Sequence, residues 1–367
     1  MNDLFRHPLK KASVIPYHTQ VRERVLALIQ AGTLLPGTKL PSEPEVAALM
    51  GVSRMTANKA LLGLMNDGYL IREKGRGTFV APRHQHRPGR LYVAVADSPA
   101  NVLEDYYLGA LYWHVHATFA KLGSSVSVVP LTADLPATQE CGIVAINPPQ
   151  PAVEELLGFV RIGASVVVLG ANWSEQNLAT VDSDNFAGAS LAVDHLADLG
   201  HHRVMFLGGL PNDSNTIDRV RGFRAAATAR GLGTSSDDVL VVPEAHGFDL
   251  DTEDEIFRRL SRSDGPTAVF AGGPHLAIRL LAAAQRRGLR VPEDLSLVGY
   301  DDPSFMSLAY PGLTTIRQPL EDMAAAACRK LLERVDHESS LSGNIMLAPD
   351  LLLRASTAPP VRAFARN

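Results

Sequence analysis

Side chains able to grip phosphates and base edges crowd into one short stretch of this 367-residue chain. Ser53-Arg54-Met55-Thr56-Ala57-Asn58-Lys59 sets hydroxyls, a guanidinium, an amide and an ammonium side by side. Arg54 can bind guanine through two parallel hydrogen bonds, and Asn58 can do the same to adenine. Ser53 and Thr56 suit phosphate oxygens. Downstream, Lys74-Gly75-Arg76 makes a cationic tip between the β-prone runs Leu70-Ile71-Arg72-Glu73 and Thr78-Phe79-Val80. This is chemistry for holding a polyanion, not for breaking a bond.

The surrounding sequence supplies elements that would present those groups. Val21, Val25, Leu28 and Ile29 recur at helical spacing between Tyr17 and Gln30, and Gly32 and Pro36-Gly37 end that helix in a turn. Ser42 with Glu45 three residues on reads as a capping box, with Pro44 tolerated in the first turn. Gly51 breaks this second helix, Ser53 caps the next, and Ala60, Leu61, Leu64 and Met65 face inward. Two helices, a tight turn and a β-ribbon with a basic tip make a winged helix-turn-helix, its ribbon aimed at the adjacent minor groove. The expected DNA contacts are Ser42, Ser53, Arg54, Thr56, Asn58, Lys59, Lys74, Gly75 and Arg76. Charge agrees: residues 1–90 hold 14 Lys and Arg against 6 Asp and Glu, whereas the remainder holds 21 against 33.

Residues 81–90 are polar, bracketed by prolines and aperiodic, and read as a linker between a DNA-binding domain at 1–80 and a body at 91–367. The body alternates short apolar runs with helical stretches. Strands are expected at Leu91–Ala96, Ser125–Val129, Gly142–Ile146, Val166–Leu169, Arg203–Leu207, Val239–Val242, Thr267–Ala271 and Leu295–Gly299. Helices fall between most of them, at Leu103–Leu122, Pro151–Ile162, Ala187–Leu199, Arg219–Arg230, Asp254–Ser261 and His275–Arg287. Such alternation implies an α/β body of parallel sheets covered on both faces, in two lobes. The chain is expected to cross between lobes near Val181–Gly188 and again near Asp301–Gln318. The connection between Val129 and Gly142 is too short for a full crossover helix.

Two family resemblances follow from the motifs. Leu34-Leu35-Pro36-Gly37, Leu40-Pro41-Ser42-Glu43, Gly51-Val52-Ser53-Arg54 and Gly75-x-Gly77-Thr78-Phe79 resemble the DNA-binding domain of the GntR transcription factors. Pro44 and Asn58 stand where many members carry arginine; the Ser53-Arg54-Met55-Thr56-x-Asn58 form looks like the histidine-utilisation repressor branch. In the body, Val181-Asp182-x-Asp184-Asn185-x-x-Gly188, Arg219-x-x-Gly222-Phe223, Val298-Gly299-Tyr300-Asp301-Asp302 and Leu313-Thr314-Thr315-Ile316-Arg317-Gln318 resemble the LacI/GalR effector domain, a periplasmic-binding-protein-like fold. The combination resembles the arabinose-operon repressor arrangement. The resemblance implies a homodimer on double-stranded operator DNA, and a small-molecule effector, sugar-like, between the lobes. It places Arg219 and Asp301 as the polar grip on that effector, with Asp97, Trp173 and Phe248 lining the crevice. Gly273-Pro274 replaces the family's Asn-Asp pair, and Gly170 replaces an aspartate, so an alternative is a crevice that binds nothing.

Other functions find little footing. No nucleophile elbow, phosphate-binding loop or metal-ligand cluster is present, so neither catalysis nor a cofactor is expected. A winged module fused to a pyridoxal enzyme would need a larger body with more lysine. His201-His202 more simply ends a helix, with a cation near its negative end, than binds a metal. Two cysteines, Cys141 and Cys328, make no disulfide framework. With neither a leader-like start nor an apolar run of membrane-spanning length, the expected location is the cytoplasm.

Overall fold

The computed structural model describes residues 16–30, 33–66, 69–73, 75–81, 90–96, 105–131, 135, 141–173, 176–243, 247–332 and 343–361. The first helices are α1 (Tyr17–Gln30), α2 (Glu43–Met50) and α3 (Arg54–Asn66), followed by the antiparallel pair β1 (Leu70–Glu73) and β2 (Gly77–Val80). They share one core of Val21, Val25, Leu34, Val46, Leu61, Leu64 and Val80. At the start of α2 the Glu45 carboxylate accepts from both the backbone N–H and the hydroxyl of Ser42 at 2.7 Å. Gly51 ends α2 in the left-handed region at φ 67°, where a Cβ would be strained. That turn sets α3 across α2.

The body holds two six-stranded sheets. Strands β3 (Arg90–Val95), β4 (Val126–Pro130), β5 (Cys141–Ile146), β6 (Ser165–Leu169), β7 (Ala179–Ser183) and β13 (Asn344–Leu347) form the first, in the order β13-β7-β6-β5-β3-β4, all parallel. The second has the order β14-β12-β11-β10-β8-β9. It comprises β8 (Val204–Gly209), β9 (Val239–Val242), β10 (Ala268–Ala271), β11 (Ser296–Tyr300), β12 (Thr314–Arg317) and β14 (Asp350–Leu352), with β14 antiparallel to β12. In the first lobe β5 is buried throughout and β6 nearly so, whereas every residue of the edge strand β4 is half-buried or exposed. Helices α4 (Tyr106–Lys121) and α5 (Val153–Arg161) belong to this lobe, and α6 (Asn185–Asp198), α7 (Ser214–Ala229), α8 (Leu250–Leu260), α9 (Pro274–Arg286) and the short α10 (Ser304–Leu308) to the other. After β12, α11 (Leu320–Leu332) returns to pack on α4 and the first sheet.

The expected strands are present, within a residue or two at each end. Helices α7 and α8 begin several residues earlier than periodicity placed them. Asp213 and Asp249 cap them, their carboxylates accepting from Thr216 N at 3.1 Å and Thr252 N at 2.8 Å. Among the described residues the chain crosses between lobes three times rather than twice. The additional crossing lies between β13 and β14, four- and three-residue strands too short to read from an apolar run. The connection between β4 and β5 falls largely outside the described residues.

His201 is not a cation at a helix end. Gly200 (φ 92°) terminates α6, with His201 N bonding back to Leu196 O at 3.1 Å. The ring is buried, which pushes its pKa down to about 4. Nε2 sits 3.0 Å from Ala358 O, an acceptor only, so Nε2 carries the proton and Nδ1 accepts from the Thr267 hydroxyl at 2.7 Å.

Candidate functional site

On the N-terminal module most of the expected DNA contacts lie at the exposed start of α3. Ser53 caps the helix: its Oγ accepts from Thr56 N at 3.1 Å and pairs with Thr56 Oγ1 at 2.8 Å. Arg54 and Lys59 are exposed, Thr56 and Asn58 half-buried, and Met55 is 83% exposed. An open groove of about 530 Å³ runs along this face, lined by His18 of α1 with Met55, Thr56, Asn58, Lys59, Leu62 and Gly63 of α3. The Glu43 carboxylate takes an ion pair from Arg72 of β1, and with Asn58 also beside it its pKa is held below the usual carboxylate range. The wing turns at Gly75 (φ 79°), and Arg76, paired with Glu73 and lying over the Phe79 ring, remains largely solvent-facing. Lys74 lies outside the described residues. The structure thus brings Thr56, Asn58 and Lys59 to one groove, with Ser53 and Arg54 exposed at the start of the same helix. Ser42 is committed to its capping box at the start of α2.

In the body, a buried polar cluster sits where the lobes meet. Arg219, 7% exposed, donates from Nε to Asn185 Oδ1 at 2.8 Å and from Nη1 to Gly272 O at 2.6 Å, with its guanidinium 3.6 Å from the centre of the Tyr300 ring. Asp301 is also buried. It adopts φ 66°, rare for a residue with a side chain, and Gln318 Nε2 donates to its carboxylate at 2.7 Å. Burial raises the Asp301 pKa, while Arg219 and the Gln318 hydrogen bond pull it back. Gln318 Oε1 is buried with no hydrogen-bond partner among the described residues.

From the first lobe, Asp182 closes the floor. Its carboxylate accepts from Ser183 N at 2.8 Å and Asn185 Nδ2 at 3.3 Å, and desolvation pushes its pKa up to about 8 despite the nearby Arg219. Bonds also cross from lobe to lobe. Asn215 Nδ2 donates to Gly170 O at 2.9 Å, Asn172 N to Ser214 Oγ at 3.1 Å, and Asn172 Nδ2 to Asp218 Oδ2 at 3.2 Å. Tyr107 also donates to Gly170 O, at 3.3 Å. A Cβ on Gly170 would lie 2.6 Å from that hydroxyl, so Tyr107 fills the space an aspartate side chain would need.

Of the expected effector residues, Arg219 and Asp301 converge. Trp173, after β6, is anchored by its Nε1 donating to Pro148 O at 2.8 Å. Phe248 is not brought to them: it packs in the core on the opposite sheet face with Met205, Leu207 and Ile256, and Arg279 lies over its ring at 5.3 Å. Asp97 lies outside the described residues. Asp182, Asn185, Asn215, Tyr107, Tyr300 and Gln318 were not on the expected list. Asp182, Asn185, Tyr300 and Gln318 stand inside the quoted motifs, whereas nothing local marked Tyr107 or Asn215.

Comparison with known proteins fits both parts. Residues 18–80 match the gntR family of bacterial regulatory proteins, and residues 193–357 match the periplasmic binding protein-like domain. An arabinose metabolism transcriptional repressor of Geobacillus stearothermophilus is 27% identical over 366 residues, spanning 95% of this chain and 99% of the relative. A LacI family transcriptional regulator from Mycobacterium smegmatis superposes with a TM-score of 0.62 at 25% identity, over 74% of this chain and all of the other. The regulator CelR in complex with cellobiose superposes with a TM-score of 0.63 at 22% identity, over 86% of this chain and all of that one. This chain is therefore a transcription regulator that joins a gntR-family DNA-binding domain to a periplasmic-binding-protein-like domain of the LacI type. No helix among the described residues is long and apolar enough to cross a membrane.

Proposed function

We propose that the chain is a repressor that binds a pseudo-palindromic operator as a homodimer and releases or tightens on it when a sugar-like effector enters between the lobes. The observation that carries the effector reading is the convergence of buried Arg219 and Asp301 with the unpaired acceptor of Gln318. Buried charge of both signs costs folding energy unless it is paired, and a polyhydroxyl ligand offers donors and acceptors to both groups. The relatives named for arabinose metabolism and the cellobiose complex support a sugar. A ligand that binds one lobe arrangement better shifts that population, and operator affinity follows by linkage.

The test is a thermal-shift screen of pentoses, hexoses, disaccharides and nucleosides, followed by mobility shifts on upstream fragments of the gene's own neighbourhood. A true effector at a hundredfold excess over its Kd raises the unfolding free energy by about 2.7 kcal/mol. Asp301→Ala should abolish the rise. A rise unchanged in that variant removes Asp301 from the site, and binding to no upstream fragment counts against the repressor reading.

A further inference from the structure

The start of α3 carries one side chain that serves neither the core nor the polar contacts. Met55, the second residue of the helix, is 83% exposed. Val52 and Met65 pack against the core of the module, and Met55 is not among the side chains that do. It lines the groove with Thr56, Asn58, Lys59 and Leu62. Asn58 and Lys59, three and four residues on, share its side of the helix. The basic charge of this module favours a polyanion, and the N-terminal residues of such a helix are the ones that reach base edges. A thioether contributes little there by hydrogen bonding, since its sulfur donates nothing and accepts only weakly. The major groove offers one apolar group, the 5-methyl of thymine. An unbranched, flexible side chain adapts to such a group, and their contact removes apolar surface from water.

We propose that Met55 is a specificity-determining residue that packs on a thymine methyl in the major groove. Asn58 and Lys59 supply hydrogen bonds on this face, and Met55 supplies an apolar contact that neither of them makes. Leu62, 42% exposed, lies about two turns further along the groove, away from the helix start. Met55 is free for this use because the fold asks nothing of it. The inference rests on the DNA-binding reading above and adds to it a cause for one base preference.

The experiment is selection of bound sequences from a randomised duplex library with the full-length chain. The selected site is then titrated with each thymine replaced in turn by deoxyuridine, which removes only the methyl. In wild type, one such replacement should weaken binding by roughly three- to tenfold, the worth of a buried methyl and the surface it covers. Met55→Ala should bind the thymine site about as weakly as wild type binds the deoxyuridine site, and should not distinguish the two. Met55→Leu, which keeps an apolar side chain of similar volume, should restore the discrimination. A merely structural role would weaken binding to both duplexes alike and leave their ratio unchanged. A ratio unchanged in Met55→Ala therefore overturns the proposal alone, as does a wild-type chain that enriches no thymine or is indifferent to the loss of every thymine methyl. A wild-type chain that binds no duplex in the library overturns the DNA reading, and the proposal with it.

Discussion

Asp182 stands in β7 at the lobe junction, fully buried, and carries the clearest residue-scale consequence. Its carboxyl titrates ordinarily at 3.8 and, when buried here, at about 8. Between those values the unfolded chain has released a proton that the folded chain retains, so rising pH favours unfolding across this window. Asp182→Asn removes the slope. The melting temperature of the variant should therefore gain on wild type by several degrees between about pH 5 and about pH 8. A gap that stays constant with pH would show that Asp182 does not titrate in this range. His201 slopes the other way, over a narrower window that lies inside that of Asp182. Its pKa falls from 6.5 to about 4, so it weakens the fold as acid increases below 6.5. At this scale the sequence was readable where neighbours in the chain make the function, as with Ser53, Arg54 and Thr56 on one helix start. It was mute on Asp182, which in Val-Asp-Ser-Asp-Asn reads as part of a polar turn. Its burial comes from the lobe contact, which no local pattern encodes.

Between elements, α6 and α7 approach one another closely in the second lobe. A Cβ on Gly222 would come within 2.2 Å of the Phe186 carbonyl oxygen, so the two helix backbones all but touch. Backbone cannot swing aside as a long side chain can. Gly222→Ala should cost about 1–3 kcal/mol by overpacking, despite the better helix propensity of alanine. Because α7 carries Asn215 and Arg219, the displacement should also weaken effector binding, read by calorimetry beside the melting curve. A stable variant with unchanged affinity would show that the helices tolerate separation. Strands such as β5 and β10 were legible because burial on both faces leaves continuous apolar runs such as Cys-Gly-Ile-Val-Ala-Ile. Helix starts were misplaced because the capping aspartates, Asp213 and Asp249, precede the first apolar positions. The returning helix α11 escaped notice although its face of Met323, Ala327 and Leu331 is buried, for it serves a sheet distant in sequence.

For the whole molecule, the two-lobed plan followed from strand and helix alternation, but the state of the crevice did not. The lobes are joined by the protein's own bonds: Asn215 to Gly170, and Asn172 to Ser214 and Asp218. Gly170 stands where the family's aspartate is expected, and its carbonyl takes up Asn215 and Tyr107 instead. Bonds of this kind favour a closed arrangement of the lobes, which would leave the proposed effector less ordering to supply. Each such bond is worth about 1 kcal/mol net, so Asn172→Ala with Asn215→Ala should shift the open–closed ratio by roughly tenfold or more toward open. Trp173, next to Asn172, reports the change once Trp113, the other tryptophan, is replaced by Phe. Its emission should move to the red as the loop is wetted, and small-angle scattering should register a larger radius of gyration. If the proposed effector closes the lobes, operator affinity should then move opposite to the change that saturating effector produces. Unchanged emission and scattering would mean that apolar packing, not these amides, holds the lobes together.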